Sequence, residues 1–318
     1  MKIVITGGCG FLGVGIARKL MDRPEIDSLV LFDAHVPDAL PNGLDDRVTM
    51  VEGDISDRVQ VAAIIDRDDI GVFHLASVVS AGGEQDFDLA MRVNFDGGRH
   101  ILEALRARKG TPRIVLASSL AVFGGPDMPE AVTEMTRVVP QTTYGMTKAI
   151  GELMINDYTR KGFIDGRAAR LPTVIIRPGA PNAAASGFAS GVFREPLSGQ
   201  DYVLPVAMDT RMMVIGARSA IAGLTGLMDA DGEGLGADRV VNLPNNAYAV
   251  TDMIAALERV AAENGITFGP VTPKPDPAIE AIVKSWPLTM EDSRARALGL
   301  PADESLEAII REYIVDWL

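Results

Sequence analysis

ITGGCGFLG, residues 5–13, decides the fold of this chain. The β-branched run KIVIT (2–6) leads into it, and an apolar, helix-forming stretch leaves it from about residue 11. Between them Gly7, Gly10 and Gly13 stand at GxxGxxG spacing. Glycine permits the tight turn and lets the backbone approach a pyrophosphate, while the N-terminus of the next helix offers free N–H donors and partial positive charge. A plain strand–helix turn uses the same residues, so context has to discriminate. The next apolar run, LVLFD (29–33), ends on Asp33, twenty residues past Gly13. A carboxylate there accepts hydrogen bonds from an adenosine ribose and repels a 2′-phosphate. Ala34 and His35 follow instead of an arginine, so NAD is favoured over NADP. Gly7, Gly10, Phe11, Leu12, Gly13 and Asp33 are the first cofactor candidates. Asp54 and Ile55 close the third strand, where an adenine would lie; strand-end capping is their alternative role.

Outward from this loop, short apolar runs alternate with amphipathic stretches through the first 180 residues. RVTMVEGD (47–54), GVFHLAS (71–77), RIVLASS (113–119) and TVIIRPG (173–179) are the further strand candidates, with helices expected at about 57–67, 86–109 and 143–161. Continuous β-branched runs fit strands covered on both faces. The alternation predicts an α/β chain built on a Rossmann-type, doubly wound parallel sheet. After residue 180 the regularity fades, leaving RVVNLP (239–244) as a strand candidate and amphipathic helices at 250–265 and 303–318. The division expected is an NAD-binding unit over 1–180, to which the 239–244 strand returns, and a mainly substrate-binding unit over 181–318.

The totals limit the partners. With 30 basic and 43 acidic residues the formal charge is −13, which repels nucleic acid and anionic membrane. No apolar run reaches the roughly 18 residues that span a bilayer. MKIVITGG reads as a first strand, not a signal peptide. A single cysteine, Cys9, precludes an internal disulfide, and the three histidines show no ligand spacing, so no metal site and a cytoplasmic location are expected. The same charge opposes an anionic substrate, so a substrate carboxylate needs a local arginine.

YGMTK places Tyr144 and Lys148 four residues apart, on one helical face. A phenol is a poor base at its ordinary pKa of about 10, but a neighbouring ammonium and a nicotinamide cation favour the phenolate. Tyr144 then takes the proton of an alcohol as hydride leaves its carbon, and Lys148 also holds the nicotinamide ribose. Ser119 ends a strand twenty-five residues earlier, where its hydroxyl binds the same alcohol oxygen.

Together, TGGCGFLG, Asp33, GDIS, HLAS, Asn94 in RVNFDG, ASSLAVFGG and YGMTK resemble the extended short-chain dehydrogenase/reductase family over nearly the whole chain. The resemblance implies Ser119, Tyr144 and Lys148 as the catalytic triad and Asn94 as a helix-kinking residue that supports the lysine through water. It also implies strand order 3-2-1-4-5-6, a smaller C-terminal α/β substrate domain, and Leu75, Ala76 and Ser77 along the cofactor. Members of the family often pair helices like 86–109 and 143–161 into a four-helix homodimer interface. Met91, Val93, Ile101, Leu102 and Leu105 supply an apolar face here, although that face could equally cover the sheet.

Most extended members act on nucleotide-bound sugars. The dehydratases carry an acidic pair after the active-site hydroxyl, where this chain has Leu120 and Ala121; the epimerases carry an aromatic-Asn element where it reads RPGAPN. RPGAPNAAASGFASGVFREPLSGQ (177–200), with ARLPTV before it and DPAIEAIVKSWP (276–287) after, is instead similar to a narrower group, the D-erythronate dehydrogenases. These oxidise a four-carbon sugar acid at C2 with NAD. In that reading PGAP, with Pro178, Gly179 and Pro181, passes the nicotinamide. Ser77, Ser80 and Asn182 are hydroxyl partners. Arg177, Arg194 and Arg211 lie near the substrate side. Arg211 is the expected carboxylate clamp, with a surface ion pair as its alternative, and Arg177 is expected to be a structural ion-pair partner. A nucleotide-sugar epimerase or reductase and a silent NAD-binding sensor are the rival functions.

Overall fold

The computed structural model describes residues 1–180 and 184–318. The chain runs β1 (Lys2–Thr6), α1 (Phe11–Leu20), β2 (Ser28–Asp33), β3 (Val48–Glu52), α2 (Arg58–Ile64), β4 (Ile70–His74), α3 (Ser80–Gln85) and α4 (Phe87–Ala90). A π-helical turn, Met91–Asp96, joins α4 to α5 (Gly97–Arg106). Then come β5 (Arg113–Ser119), the short β6 (Ala131–Val132), α6 (Thr143–Arg160), β7 (Asp165–Leu171) and β8 (Thr173–Ile175). The remainder includes α7 (Phe188–Leu197), β9 (Tyr202–Leu204), β10 (Arg211–Gly216), α8 (Ala217–Asp229), α9 (Gly232–Leu235), β11 (Val240–Asn242), β12 (Asn246–Ala249), α10 (Val250–Glu263) and a C-terminal helix, Leu306–Trp317.

Seven strands form one parallel sheet in the order β11-β7-β5-β4-β1-β2-β3. β1 and β4 are buried along their whole length because helices cover both faces. Ile16, Ala17 and Leu20 of α1 pack with Leu224, Leu227 and Met228 of α8 on one face. Val61 and Ile64 of α2, Ile101, Leu102 and Leu105 of α5, and Ile155 of α6 cover the other. Ile101, Leu102 and Leu105 are therefore buried against the sheet within the chain. A separate apolar cluster joins α7, β10, α10 and Leu306–Trp317 around the three-stranded sheet β12-β10-β8. Among the described residues no helix is long and apolar enough to cross a membrane.

One expected strand needs correction. TVIIRPG does not supply the sixth strand of the large sheet: only Thr173–Ile175 is extended, and it pairs with β10 in the second sheet. The sixth place belongs to β7, whose sequence DGRAARL carries two arginines. Both are buried: Arg167 bonds Asp165 O and Ala230 O, and Arg170 bonds Glu152. These bonds offset much of the cost that argues against a charged central strand, although the buried Arg167 Nε has no partner among the described residues. After β7, Pro172 turns the chain from one sheet into the other, along the edge where ligands bind in doubly wound sheets.

Candidate active site

The glycine loop is packed so tightly that side chains are excluded. Gly7 has φ +67, and a Cβ on it would lie 2.8 Å from Ala76 N; one on Gly13 would lie 2.5 Å from Gly8 O. Asp33 reaches across from β2, its Oδ2 accepting from Cys9 N–H at 3.0 Å. The loop is thus shaped without side chains, beside a helix whose N-cap, Gly10, makes no side-chain cap. The first-turn N–H groups stay free for a phosphate, and Asp33 keeps lone pairs for a ribose. These residues fit a dinucleotide.

From this loop a cavity of ≈340 Å³ runs across the C-terminal edge of the sheet. Gly7, Gly10, Phe11, Leu12, Gly13 and Leu75 line one end; Ser119, Tyr144, Arg177, Ser186 and Trp286 line the other, with Ser80 between. Tyr144 and Ser119 meet because α6 starts against the end of β5. Thr142 caps α6, accepting from Gly145 N–H at 3.1 Å, and Gly145 packs so closely that a Cβ would sit 2.1 Å from Ala121 O. Glycine after the tyrosine is a packing requirement of the site.

Ser119 Oγ accepts from Ala121 N–H at 3.1 Å, leaving its proton free to donate towards the phenolic oxygen. Burial pushes the Tyr144 phenol up from its ordinary value; the Ser119 hydrogen bond and the charge of Arg177 pull the other way. Lys148 is buried with its Nζ 5.5 Å from the centre of the Tyr144 ring. Burial drags its pKa down to about 8 against the favourable charge of Glu152. Desolvation is thus the largest influence on both groups, opposed at Tyr144 by Ser119 and Arg177 and at Lys148 by Glu152. Lys148 also faces a small void of ≈20 Å³ shared with His74, Asn94 and Thr147. Asn94 lies within the π turn; its Oδ1 accepts from Val78 N–H at 2.7 Å, and its Nδ2 donates to Val78 O and Thr147 Oγ1. It binds α6 to the segment after β4, and the void behind it is large enough for about one water.

Arg177 stands at the substrate end. Its Nε donates to Val174 O at 3.1 Å and its Nη2 to Ser186 Oγ at 2.8 Å. It has no carboxylate partner among the described residues, so it is not the structural ion pair expected. Arg194 does pair, with Glu195, and donates to Arg177 O. Arg211 is exposed at the start of β10 and does not line the cavity. The residue expected as the clamp therefore stands outside the cavity lining in this structure. Trp286 and Ser186 carried no role in the sequence reading; the rarity of tryptophan in KSWP was the available signal.

Several other candidates lie outside the cavity lining. Asp54 caps its own turn through Ser56, and Ile55 packs on Gly97 in the core. Ala76 shares the void behind Lys148, and Ser77 Oγ donates to Val78 O. Pro178 and Gly179 (φ +78) do not line it, and Pro181 and Asn182 lie outside the described residues. Among the described residues no group of three or more histidines, cysteines and acids could hold a metal ion.

Residues 3–215 match the NAD dependent epimerase/dehydratase family. The chain belongs to that family. It is the extended short-chain dehydrogenase/reductase class that the motifs resemble, and its members' cofactor, NAD, is the one the loop fits. The chain is 46% identical to the D-erythronate dehydrogenase of Cupriavidus necator, over 99% of this chain and 98% of that one. It is 39% identical to the D-erythronate dehydrogenase of Haemophilus influenzae, over 99% of each. Its fold superposes on the crystal structure of the nucleoside-diphosphate-sugar epimerase from Agrobacterium tumefaciens with a TM-score of 0.90 at 37% identity, covering 100% of this chain and 94% of that one. This family member is an NAD-dependent oxidoreductase acting on CH–OH groups.

Proposed function

We propose that this enzyme oxidises a small sugar acid at its C2 hydroxyl, as a D-erythronate dehydrogenase, with Tyr144 as general base. The observation that carries the reading is the cavity itself: it sets the Ser119 and Tyr144 hydroxyls beside Arg177, a half-buried guanidinium without a carboxylate partner among the described residues. In a chain of net charge −13 that local cation is what an anionic substrate needs. Two relatives aligned over almost their full length carry the name D-erythronate dehydrogenase.

Arg177 takes the substrate carboxylate, in a geometry that fixes orientation as well as charge. The C2 hydroxyl then lies between Ser119, which donates to its oxygen, and Tyr144, which removes its proton. Lys148 and Arg177 supply positive charge on two sides of the phenolate as it takes up that proton. Gly7, Gly10, Phe11, Leu12, Gly13, Asp33 and Leu75 would hold NAD, with Lys148 on its nicotinamide ribose. When bound, NAD accepts the hydride that leaves C2 and brings the extra positive charge that favours the phenolate. Trp286, Leu120 and Val174 line the reacting end and limit water there.

A nucleotide-sugar epimerase or reductase is the second reading, favoured by the 37% identity to a protein named as a nucleoside-diphosphate-sugar epimerase. An NAD-reduction screen with four- to six-carbon sugar acids beside UDP- and GDP-sugars separates them. NADH formed from D-erythronate supports the proposal; turnover of nucleotide sugars alone removes it.

A further inference from the structure

Behind the reacting hydroxyls lies a buried polar knot that no step above uses. Glu152 sits one helical turn beyond Lys148 on α6. Its carboxylate accepts from Ser118 Oγ at 2.6 Å, from Arg170 Nε at 2.9 Å and from Arg170 Nη2 at 2.8 Å. Ser118, Glu152 and Arg170 are only 1%, 4% and 4% exposed. Arg170 is fixed in turn by the face of Phe123, 4.7 Å from the ring centre. A buried ion pair seldom stabilises a fold more than apolar packing of the same volume. Its place in this molecule suggests another use.

Ser118 immediately precedes Ser119, and α6 carries both Tyr144 and Lys148. The Ser118–Glu152 bond therefore ties the strand bearing one reacting hydroxyl to the helix bearing the other. Arg170 extends the tie to β7. At the other end of this contact, Gly145 packs closely against Ala121 O. The knot is also electrical. Lys148 faces Tyr144 and Glu152 on its own helix and His74 on β4; Arg177 faces Tyr144, and Arg170 faces Glu152. Burial drives His74 towards its neutral form, and Glu152 is the carboxylate beside the lysine.

We infer that Glu152, clamped by Ser118 and Arg170, is a positioning residue that fixes the distance of Ser119 from Tyr144 and supplies the negative charge beside Lys148. This rests on Tyr144 being the base. The test compares the parent with Glu152→Gln, Ser118→Ala and Ser118→Thr. Two quantities are read: kcat against pH, and the Tyr144 phenolate titration by ultraviolet difference absorbance against a Tyr144→Phe version of each. Removing a buried negative charge lowers the pKa of every acid near it, so Glu152→Gln should move both curves to lower pH by about one unit. Ser118→Ala should leave both curves in place while lowering kcat about 10-fold, with KM for NAD changed less than about twofold and Ser118→Thr restoring the rate.

If Glu152→Gln does not fold, the two Ser118 variants decide alone. A folded Glu152→Gln with unshifted titration, or Ser118→Ala with parental kcat, overturns the inference. Near-parental turnover by Tyr144→Phe would instead overturn the base assignment. The phenolate titration, which needs no turnover, still reports on Glu152 in that case.

Discussion

Replacing Arg177 by methionine removes the guanidinium but keeps an unbranched stem of similar reach. In the parent, among the described residues, Nε and Nη2 are each anchored once, to Val174 O and Ser186 Oγ, and Nη1 is offered to a ligand. A carboxylate docked there makes two charge-assisted hydrogen bonds, each worth about 1.5–3 kcal/mol. Taking the lower figure for both, because the cavity is open to solvent, gives about 3 kcal/mol, or about a 100-fold loss in kcat/KM for D-erythronate. The carboxylate does not react, so its contact is alike in ground and transition states and that loss should fall on KM. Arg177 also holds positive charge beside Tyr144, so kcat is compared on the high-pH plateau, where the phenolate is formed in parent and variant alike. Initial rates of NADH formation measure this directly. The corresponding tetritol, with CH₂OH in place of the carboxylate, should lose little activity, and KM for NAD should hold. Arg211→Met, altering an exposed residue outside the cavity, should be silent. A parental kcat/KM for the acid in Arg177→Met, or equal losses on acid and tetritol, would refute the reasoning.

Two further outcomes are expected. Asp33→Ser removes the charge that repels a 2′-phosphate, so the ratio of kcat/KM with NADP to that with NAD should rise at least about tenfold; an unchanged ratio counts against Asp33 as the selector. His74 is fully buried against Thr6 Oγ1, and burial, aided by Lys148, pushes its pKa down to about 3. Its folded value lies below the unfolded value near 6.5, so the stability it contributes is complete above pH 6.5 and lost as pH falls towards 3. From pH 6.5 to 5 the parent should lose about 2 kcal/mol more than His74→Gln, read from urea midpoints. Equal losses would show that His74 is not held neutral.

The cofactor end was legible because its chemistry demands a particular local sequence. Gly7 needs a positive φ and Gly13 close backbone approach, and no other residue type meets those demands. YGMTK was legible for a similar reason, since helical spacing alone brings Tyr144 and Lys148 to one face. What failed depended on distant partners. DGRAARL did not read as a central strand because its arginines are tolerable only with Asp165 and Glu152 beside them. Arg211 was ranked above Arg177 because local sequence says only that each lies beside a short strand. Only the turn at Pro172 into the second sheet puts one in the cavity and leaves the other on the surface. The burial of Tyr144, which opposes its phenolate, was not visible in sequence, although its charged neighbours were.

Turnover of D-erythronate carrying deuterium at C2 tests the central claim most directly. If the enzyme oxidises C2 with NAD, mass spectrometry should find the label in the NADH formed, one deuterium per turnover, beside an unlabelled 2-keto acid. Deuterium retained in the product while NADH forms unlabelled would place the oxidation at another carbon and contradict the account.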